Sequence, residues 1–329
     1  MGPTADRDLG SPGSAPPERV SDPVAAAWTC QAAGMCRLLG LHAGADPVTA
    51  SFWLLDAPDS LREQSHRNPD GAGIGVFDAG GEPVLDKQPL AGYEDDEFTR
   101  EARTARSRTF VAHVRYASVG AHTVANTHPF TMDGRIFAHN GTLTGIDQLD
   151  RRLHELGVTD LVLGDTDSER MFALITAETR RHGGSVADGI AAAIGWIADH
   201  LGVFSVNLII GTPEELWALR YPANHELYVL DRTGAAAHPL SVASPRIRAH
   251  VPDLIAQPAV VVATEPMDGE TGWRLMDSGE LLRVGKDLTI TRTRPFPHAP
   301  RHLLTLADLD PTAAASQAPA AQKTVGRSQ

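Results

Sequence analysis

Met35-Cys36-Arg37-Leu38-Leu39-Gly40-Leu41-His42 is the stretch on which the reading of this chain turns. The run from Arg37 to His42 (RLLGLH) predicts a buried strand, and a cysteine stands immediately before it. Taken alone, a cysteine beside a strand is more often a small buried hydrophobe than a nucleophile. Met35 shifts that balance. Methionine occurs six times in 329 residues, and a Met-Cys pair leading into a strand is what a gene start looks like when the initiator is cleaved ahead of a small residue. A cysteine exposed as the N-terminal residue carries its own general base, because a free α-amine, with a pKa of about 8, can take the thiol proton. This chemistry requires residues 1–35 to be absent from the active protein, either because translation begins at Met35 or because they form a propeptide.

The flanks fit that division. Gly2-Pro3, Gly10-Ser11-Pro12-Gly13-Ser14 and Pro16-Pro17 carry no sustained period, so residues 1–35 read as a disordered extension. Ala, Gln, Pro and Ser dominate toward the other end, and residues 296–329 read as mostly disordered. Between them, 36–295 forms one expected domain. Short apolar runs at Gly73 to Phe77, Thr109 to Val114 and Arg135 to Ala138 predict strands. Helical periodicity follows in Gly145 to Leu156, Asp167 to Arg180 and Val186 to Leu201. Strand-like runs return at Val206 to Ile210, Leu216 to Arg220, Leu227 to Leu230, Val260 to Thr264 and Leu288 to Thr293. Strands, then helices, then strands describe an α+β layered domain rather than a βαβ repeat.

Composition excludes several classes. There are 29 Lys plus Arg against 41 Asp plus Glu, a formal charge of −12, and nucleic-acid binding needs a basic patch. The expected partners therefore include no nucleic acid. No apolar run approaches the roughly 18 residues that span a bilayer, and the N-terminus lacks a signal-peptide core, so no membrane partner and a cytoplasmic location are expected. Two cysteines, Cys30 and Cys36, cannot make a disulfide framework.

Four further places could carry chemistry, and each has an ordinary structural explanation as well. Arg115 closes a strand, where an arginine is commonly a solvated charge but can offer a planar fork to a carboxylate. His128 sits in Asn126-Thr127-His128-Pro129-Phe130, a turn-like setting. Asn140-Gly141 is a turn signal, yet an Asn amide and the next N–H can jointly donate to an oxyanion. In Gly164-Asp165-Thr166-Asp167-Ser168-Glu169, the acids suit a helix start, and one carboxylate could instead meet a substrate ammonium.

Their order along the chain resembles the class II, N-terminal-nucleophile glutaminase domain of glutamine amidotransferases. Arg67-Asn68-Pro69-Asp70-Gly71-Ala72-Gly73 is similar to that family's Arg-Gly-x-Asp-Ser-Ala-Gly loop, and His113-Val114-Arg115-Tyr116-Ala117 to its His-Thr-Arg-Trp-Ala strand end. His139-Asn140-Gly141 and Thr166-Asp167-Ser168-Glu169 match two more of its motifs, and Thr264-Glu265-Pro266 and Gly272-Trp273 are similar to stand-alone members. The resemblance implies a four-layer αββα sandwich and no metal or other cofactor. It implies Cys36 as nucleophile, with Asn140 and Gly141 as oxyanion donors. Substrate contacts would come from Arg115, Tyr116, Ser118, His128 and Asp167, with Arg115 on the α-carboxylate and Asp167 on the α-ammonium. Tyr116 replaces the usual Trp, Ser118-Val119 stands where many members have Thr-His, and Gly71 replaces Ser.

The implied activity is hydrolysis of the side-chain amide of glutamine or of a γ-glutamyl amide, with any synthase that accepts the ammonia on a separate polypeptide. A narrower alternative is the γ-glutamyl hydrolase of ergothioneine biosynthesis, which shares a Met-Cys-Arg start. Two other classes rank lower: a catalytically silent glutamine-binding subunit, and a metal hydrolase using His113, His122, His128 and His139, for which no HExxH pattern is present.

Overall fold

A strand buried on both faces reads as a continuous apolar run rather than an alternating one, and RLLGLH is such a strand in the computed structural model. The structure describes residues 2, 35–116, 121–234, 241–243, 248–250 and 258–317. The strands in chain order are β1 (Arg37–His42), β2 (Ala72–Phe77), β3 (Pro83–Gln88), β4 (Thr109–Val114), β5 (Phe130–Met132), β6 (Arg135–Thr144), β7 (Gly202–Gly211) and β8 (Leu216–Arg220). They continue as β9 (Tyr228–Asp231), β10 (Ser241–Ala243), β11 (Arg248–His250), β12 (Val260–Ala263), β13 (Trp273–Leu275), β14 (Glu280–Val284), β15 (Ile290–Thr293) and β16 (His302–Leu303). The helices are α1 (Leu61–Gln64), α2 (Asp96–Thr104), α3 (Ile146–Glu155), α4 (Asp167–Arg181), α5 (Val186–His200) and α6 (Pro311–Gln317), with a π-helical turn at Phe52–Asp56.

Two sheets stack face to face. One runs β13-β9-β12-β1-β4-β2-β3; the other runs β15-β14-β8-β7-β6-β5, with β16 added parallel to β7. The period of two along each strand sorts side chains between layers. Leu38, Val111, Val229, Val260 and Val262 face Ile136, Ala138, Ile209 and Leu216 across the inter-sheet core. Their neighbours Leu39, Leu41, Phe110, Ala112 and Val261 point the other way, onto Phe52, Trp53, Leu61 and Phe98 of the outer helical layer. On the far side Phe137, Leu208 and Ile210 pack beneath Phe172, Ile190, Ile194 and Ile197 of α4 and α5. The rings of Phe137 and Phe172 stack at 4.7 Å and 7°. Each fully buried side chain of this size contributes about 1.5–3 kcal/mol. The result is the αββα sandwich, with β1 at the centre of one sheet. Gly40 is what lets the layers meet there: a Cβ on it would lie 2.9 Å from Ile209 and 3.2 Å from Leu216.

The predicted helices form, and two of them start on a side-chain cap. Thr166 caps α4 by accepting the Glu169 N–H, and Ser185 caps α5 by accepting that of Asp188. Two features differ from expectation. Asn140-Gly141 is not a turn but lies inside β6, which runs six residues past Ala138 because it pairs with β7 as far as Thr144↔Gly202. Gly141 is required there by close approach, since a Cβ would sit 1.9 Å from the Ser205 carbonyl oxygen. Residues 302–317, within the segment expected to be mostly disordered, carry β16 and α6, and Leu309 and Ala313 bury themselves against Phe204. The readings for residues 1–34, for Ser118 and for 318–329 lie outside the described residues, apart from Gly2. None of the described helices is long and apolar enough to cross a membrane.

Candidate active site

Register brings the first elements of the site together. β1 and β4 are antiparallel with Arg37 opposite Val114, so Cys36 leaves β1 beside the residues that leave β4, Arg115 and Tyr116. The Cys36 Sγ accepts the Tyr116 backbone N–H at 3.3 Å, and its thiol reaches the Tyr116 carbonyl oxygen at 3.4 Å. Both contacts use main-chain atoms, so the replacement of tryptophan by Tyr116 leaves the grip on the sulfur intact. Burial pushes the Cys36 thiol above its ordinary range, against the pull of the Tyr116 N–H, Arg115 and Arg37, while Asp70 adds to the rise. A thiol in that environment does not ionise unaided near neutrality; it needs a proton acceptor.

The second sheet supplies an amide. Asn140 of β6 extends its Nδ2 across the inter-sheet gap to the Cys36 carbonyl oxygen at 2.8 Å. An Asn NH₂ has two hydrogens, so one remains for another acceptor. The Asn140 carbonyl in turn accepts the Ser205 hydroxyl at 3.3 Å, which ties the residue to β7.

Arg115 is buried at 4% exposure. Its backbone is locked to the 67–73 loop, donating to the Gly71 carbonyl at 2.7 Å and accepting the Asp70 N–H at 3.1 Å. Its Nη1 donates to the Ala121 carbonyl at 3.3 Å. Asp167 opens α4, where the helix dipole favours a carboxylate. Its Oδ2 accepts the Leu143 N–H at 3.0 Å and its Oδ1 the Ser168 hydroxyl at 3.3 Å.

His128 follows the same end of the sandwich inward. It is buried, precedes a cis proline, and packs against the rings of His113 at 4.3 Å and Phe130 at 4.6 Å. Burial drives His128 well below the usual imidazole range and His113 down to about 3, so both rings are neutral near pH 7. His139 lies close enough to both to act on them electrostatically. Its Nδ1 pairs with the Ser168 hydroxyl at 2.9 Å and its Nε2 with the Ser205 carbonyl at 3.3 Å. The fourth histidine of the metal-hydrolase alternative, His122, is exposed. Among the described residues no three His, Cys, Asp or Glu side chains are grouped so as to hold a metal ion.

The structure thus joins Cys36, Arg115, Tyr116 and Asn140 through direct contacts or charge, while Ser118 lies outside the described residues. One element of the site was not legible beforehand. Arg37, 1% exposed, donates from Nη1 to the Met35 carbonyl at 2.8 Å and pairs through Nε with Glu265 at 2.8 Å. Arg67 meets the same Glu265 oxygen at 2.9 Å and Asp59 at 3.1 Å. This ion cluster clamps the residues on either side of Cys36. Its members Arg37, Arg67 and Glu265 each lay in a segment similar to family members, but nothing in the sequence linked them.

Comparison with known proteins follows the same line. The family model described as class-II glutamine amidotransferases matches residues 35–303. Amidophosphoribosyltransferase of Escherichia coli is 32% identical over 166 residues, covering 49% of this chain and 31% of that protein. The γ-glutamyl-hercynylcysteine sulfoxide hydrolase of Mycobacterium tuberculosis is 39% identical over 119 residues, covering 33% of this chain and 50% of that one. The chain therefore spans half or less of the length of both relatives. A solved glutamine aminotransferase class-II domain protein of Silicibacter pomeroyi superposes with a TM-score of 0.54 at 21% identity, covering 80% of this chain and 100% of that one.

Proposed function

The chain belongs to the class-II glutamine amidotransferases, and we propose that it hydrolyses the side-chain amide of glutamine or of a γ-glutamyl amide through a thioester on Cys36. The observation that carries this reading is the Asn140 amide nitrogen 2.8 Å from the carbonyl oxygen of Cys36, a contact that supports Asn140 as a donor beside the proposed nucleophile. In the proposed active form Cys36 is the N-terminal residue. Its neutral α-amine takes the thiol proton, and the sulfur attacks the γ-carbonyl carbon. The second Asn140 hydrogen and the Gly141 N–H hold the resulting oxyanion. The ammonium then returns its proton to the departing nitrogen, and ammonia or an amine leaves. Water, deprotonated by the same amine, opens the thioester to a γ-carboxylate and regenerates the thiol. Arg115 holds the α-carboxylate and Asp167 the α-ammonium, with Tyr116, Ser118 and His128 as the further proposed substrate contacts.

A Cys36 nitrogen tied in a peptide bond to Met35 is not basic, so two forms test the reading. Protein beginning at Met35 should lose that methionine and release ammonia from glutamine. Protein beginning at Met1 should be inactive unless processed to Cys36. Full activity from a chain retaining Met1 to Met35 would refute the mechanism.

A second reading, the γ-glutamyl hydrolase of ergothioneine biosynthesis, is favoured by the 39% identity to the Mycobacterium tuberculosis enzyme. The loop at Asp70 is nearer the general amidotransferase pattern, which ranks this reading second. Comparing kcat/KM for glutamine and for γ-glutamyl-hercynylcysteine sulfoxide separates the two. Ammonia released from glutamine would serve a synthase carried on another polypeptide.

A further inference from the structure

Asn126 is 1% exposed, and every polar atom of its side chain is engaged. Its Nδ2 donates to the Ala121 carbonyl at 3.1 Å, the same oxygen that accepts from Arg115 Nη1 at 3.3 Å. Its Oδ1 accepts the Asp165 backbone N–H at 2.8 Å, and Nδ2 also lies 3.5 Å from the Asp165 carboxylate. Asp165 is two residues ahead of Asp167 at the entry to α4. One buried amide therefore joins the carbonyl that orients the Arg115 guanidinium to the segment that delivers the Asp167 carboxylate. The fit is tight from the other side as well. A Cβ on Gly164 would lie 2.4 Å from Asn126 Oδ1, and the Gly164 N–H is fixed by Glu169 Oε2 at 2.6 Å.

We infer that Asn126 is a positioning residue that sets the spacing between Arg115 and Asp167, and so makes the site select γ-carboxamides bearing a zwitterionic α-amino-acid head over those that lack the ammonium. This rests on the proposed roles of Arg115 and Asp167. Asn126 would touch neither substrate nor nucleophile. The amide suits the task because it offers a donor to one arm and an acceptor to the other from a single rigid plane. Losing these two contacts loosens the spacing between arms that remain held elsewhere, and a fork misplaced by a fraction of an ångström forfeits its bidentate contact.

The test uses protein with Cys36 at its N-terminus, glutamine as substrate, and glutaramic acid, which is glutamine without the α-ammonium, as competing ligand. For Asn126→Ala the KM for glutamine should rise about tenfold or more, the scale of one lost charge-assisted contact, with kcat within about threefold. The Ki of glutaramic acid should rise less, so the preference for the zwitterion shrinks. Gly164→Ala keeps every atom of Asn126 but displaces it, and should shift KM and preference in the same direction. If Asn126→Ala does not fold, Gly164→Ala decides alone. Loss of kcat in step with KM, or an unchanged ratio of KM to Ki, would overturn the inference. Wild-type protein that releases no ammonia from glutamine would instead sink the proposed reaction on which it stands.

Discussion

Replacing Asn140 by alanine removes two contacts that the structure lets one separate. The first is the ground-state bond from Nδ2 to the Cys36 carbonyl at 2.8 Å, a neutral hydrogen bond contributing about 0.5–1.5 kcal/mol to stability. The second is the remaining N–H, which in the proposed reaction meets charge only as the tetrahedral oxyanion develops. Loss of one such donor costs about 2.7–4 kcal/mol in the transition state, or about a hundred- to a thousandfold in kcat. Because the ground-state carbonyl is polarised far less, KM for glutamine should stay within about threefold. The assay is ammonia release under saturating and limiting glutamine, paired with thermal unfolding of the same protein. Asn140→Asp supplies the control: it preserves volume but turns a carboxylate toward the developing negative charge, and should be at least as slow as the alanine variant. A kcat within fivefold of wild type for Asn140→Ala, in protein that melts normally, would refute the assignment of this residue to the oxyanion.

Other consequences are independent of that one. Arg115→Lys replaces a fixed fork by a point charge and should raise KM about tenfold or more at nearly constant kcat; normal kinetics for both Arg115→Lys and Asp167→Asn would show that the head group binds elsewhere. Gly141→Ala places a methyl 1.9 Å from the Ser205 carbonyl, so β6 and β7 must part locally, and denaturant unfolding should reveal a loss of about 1–3 kcal/mol. Stability should also fall with acid. Burial lowers His42 and His225 to about 4 and His113 to about 3, so the folded state binds fewer protons than the unfolded one below the ordinary imidazole pKa of about 6.5. Each of these groups then removes about 1.4 kcal/mol per pH unit as pH drops from about 6.5 toward its folded value. A midpoint of unfolding that is flat from pH 7 to pH 4 would contradict their burial as neutral rings.

Much of the frame was legible because its physics is local. β1 and β4 occupy the predicted spans to the residue, since strands covered on both faces read as mostly apolar runs. The helices α3 to α5 announced themselves by period, α4 and α5 by their caps as well. β6 was cut short because His139, Asn140 and Gly141 look like the end of an apolar run. The polar side chains there meet Cys36, Ser168 and Ser205, partners up to 104 positions away along the chain. The clamp of Arg37 on Glu265, separated by 228 residues, had no local signature. Asn126 sat within a named motif, yet its link to Asp165 depends on how two loops fold onto each other. The strand and helix at 302–317 were hidden by a composition rich in small and polar residues, whose order comes from Leu309 and Ala313 seated on Phe204.

The most direct test of Cys36 as an N-terminal nucleophile is covalent capture by a glutamine-analogue diazo-ketone, read by peptide mapping with intact mass. A single adduct is expected on Cys36 in protein that begins at that residue, with stoichiometric loss of ammonia release and no adduct on Cys30 in any form. Cys36→Ala should fold, bind no reagent covalently and hydrolyse nothing. An adduct elsewhere, or hydrolysis that survives Cys36→Ala, would contradict the assignment of Cys36 as nucleophile.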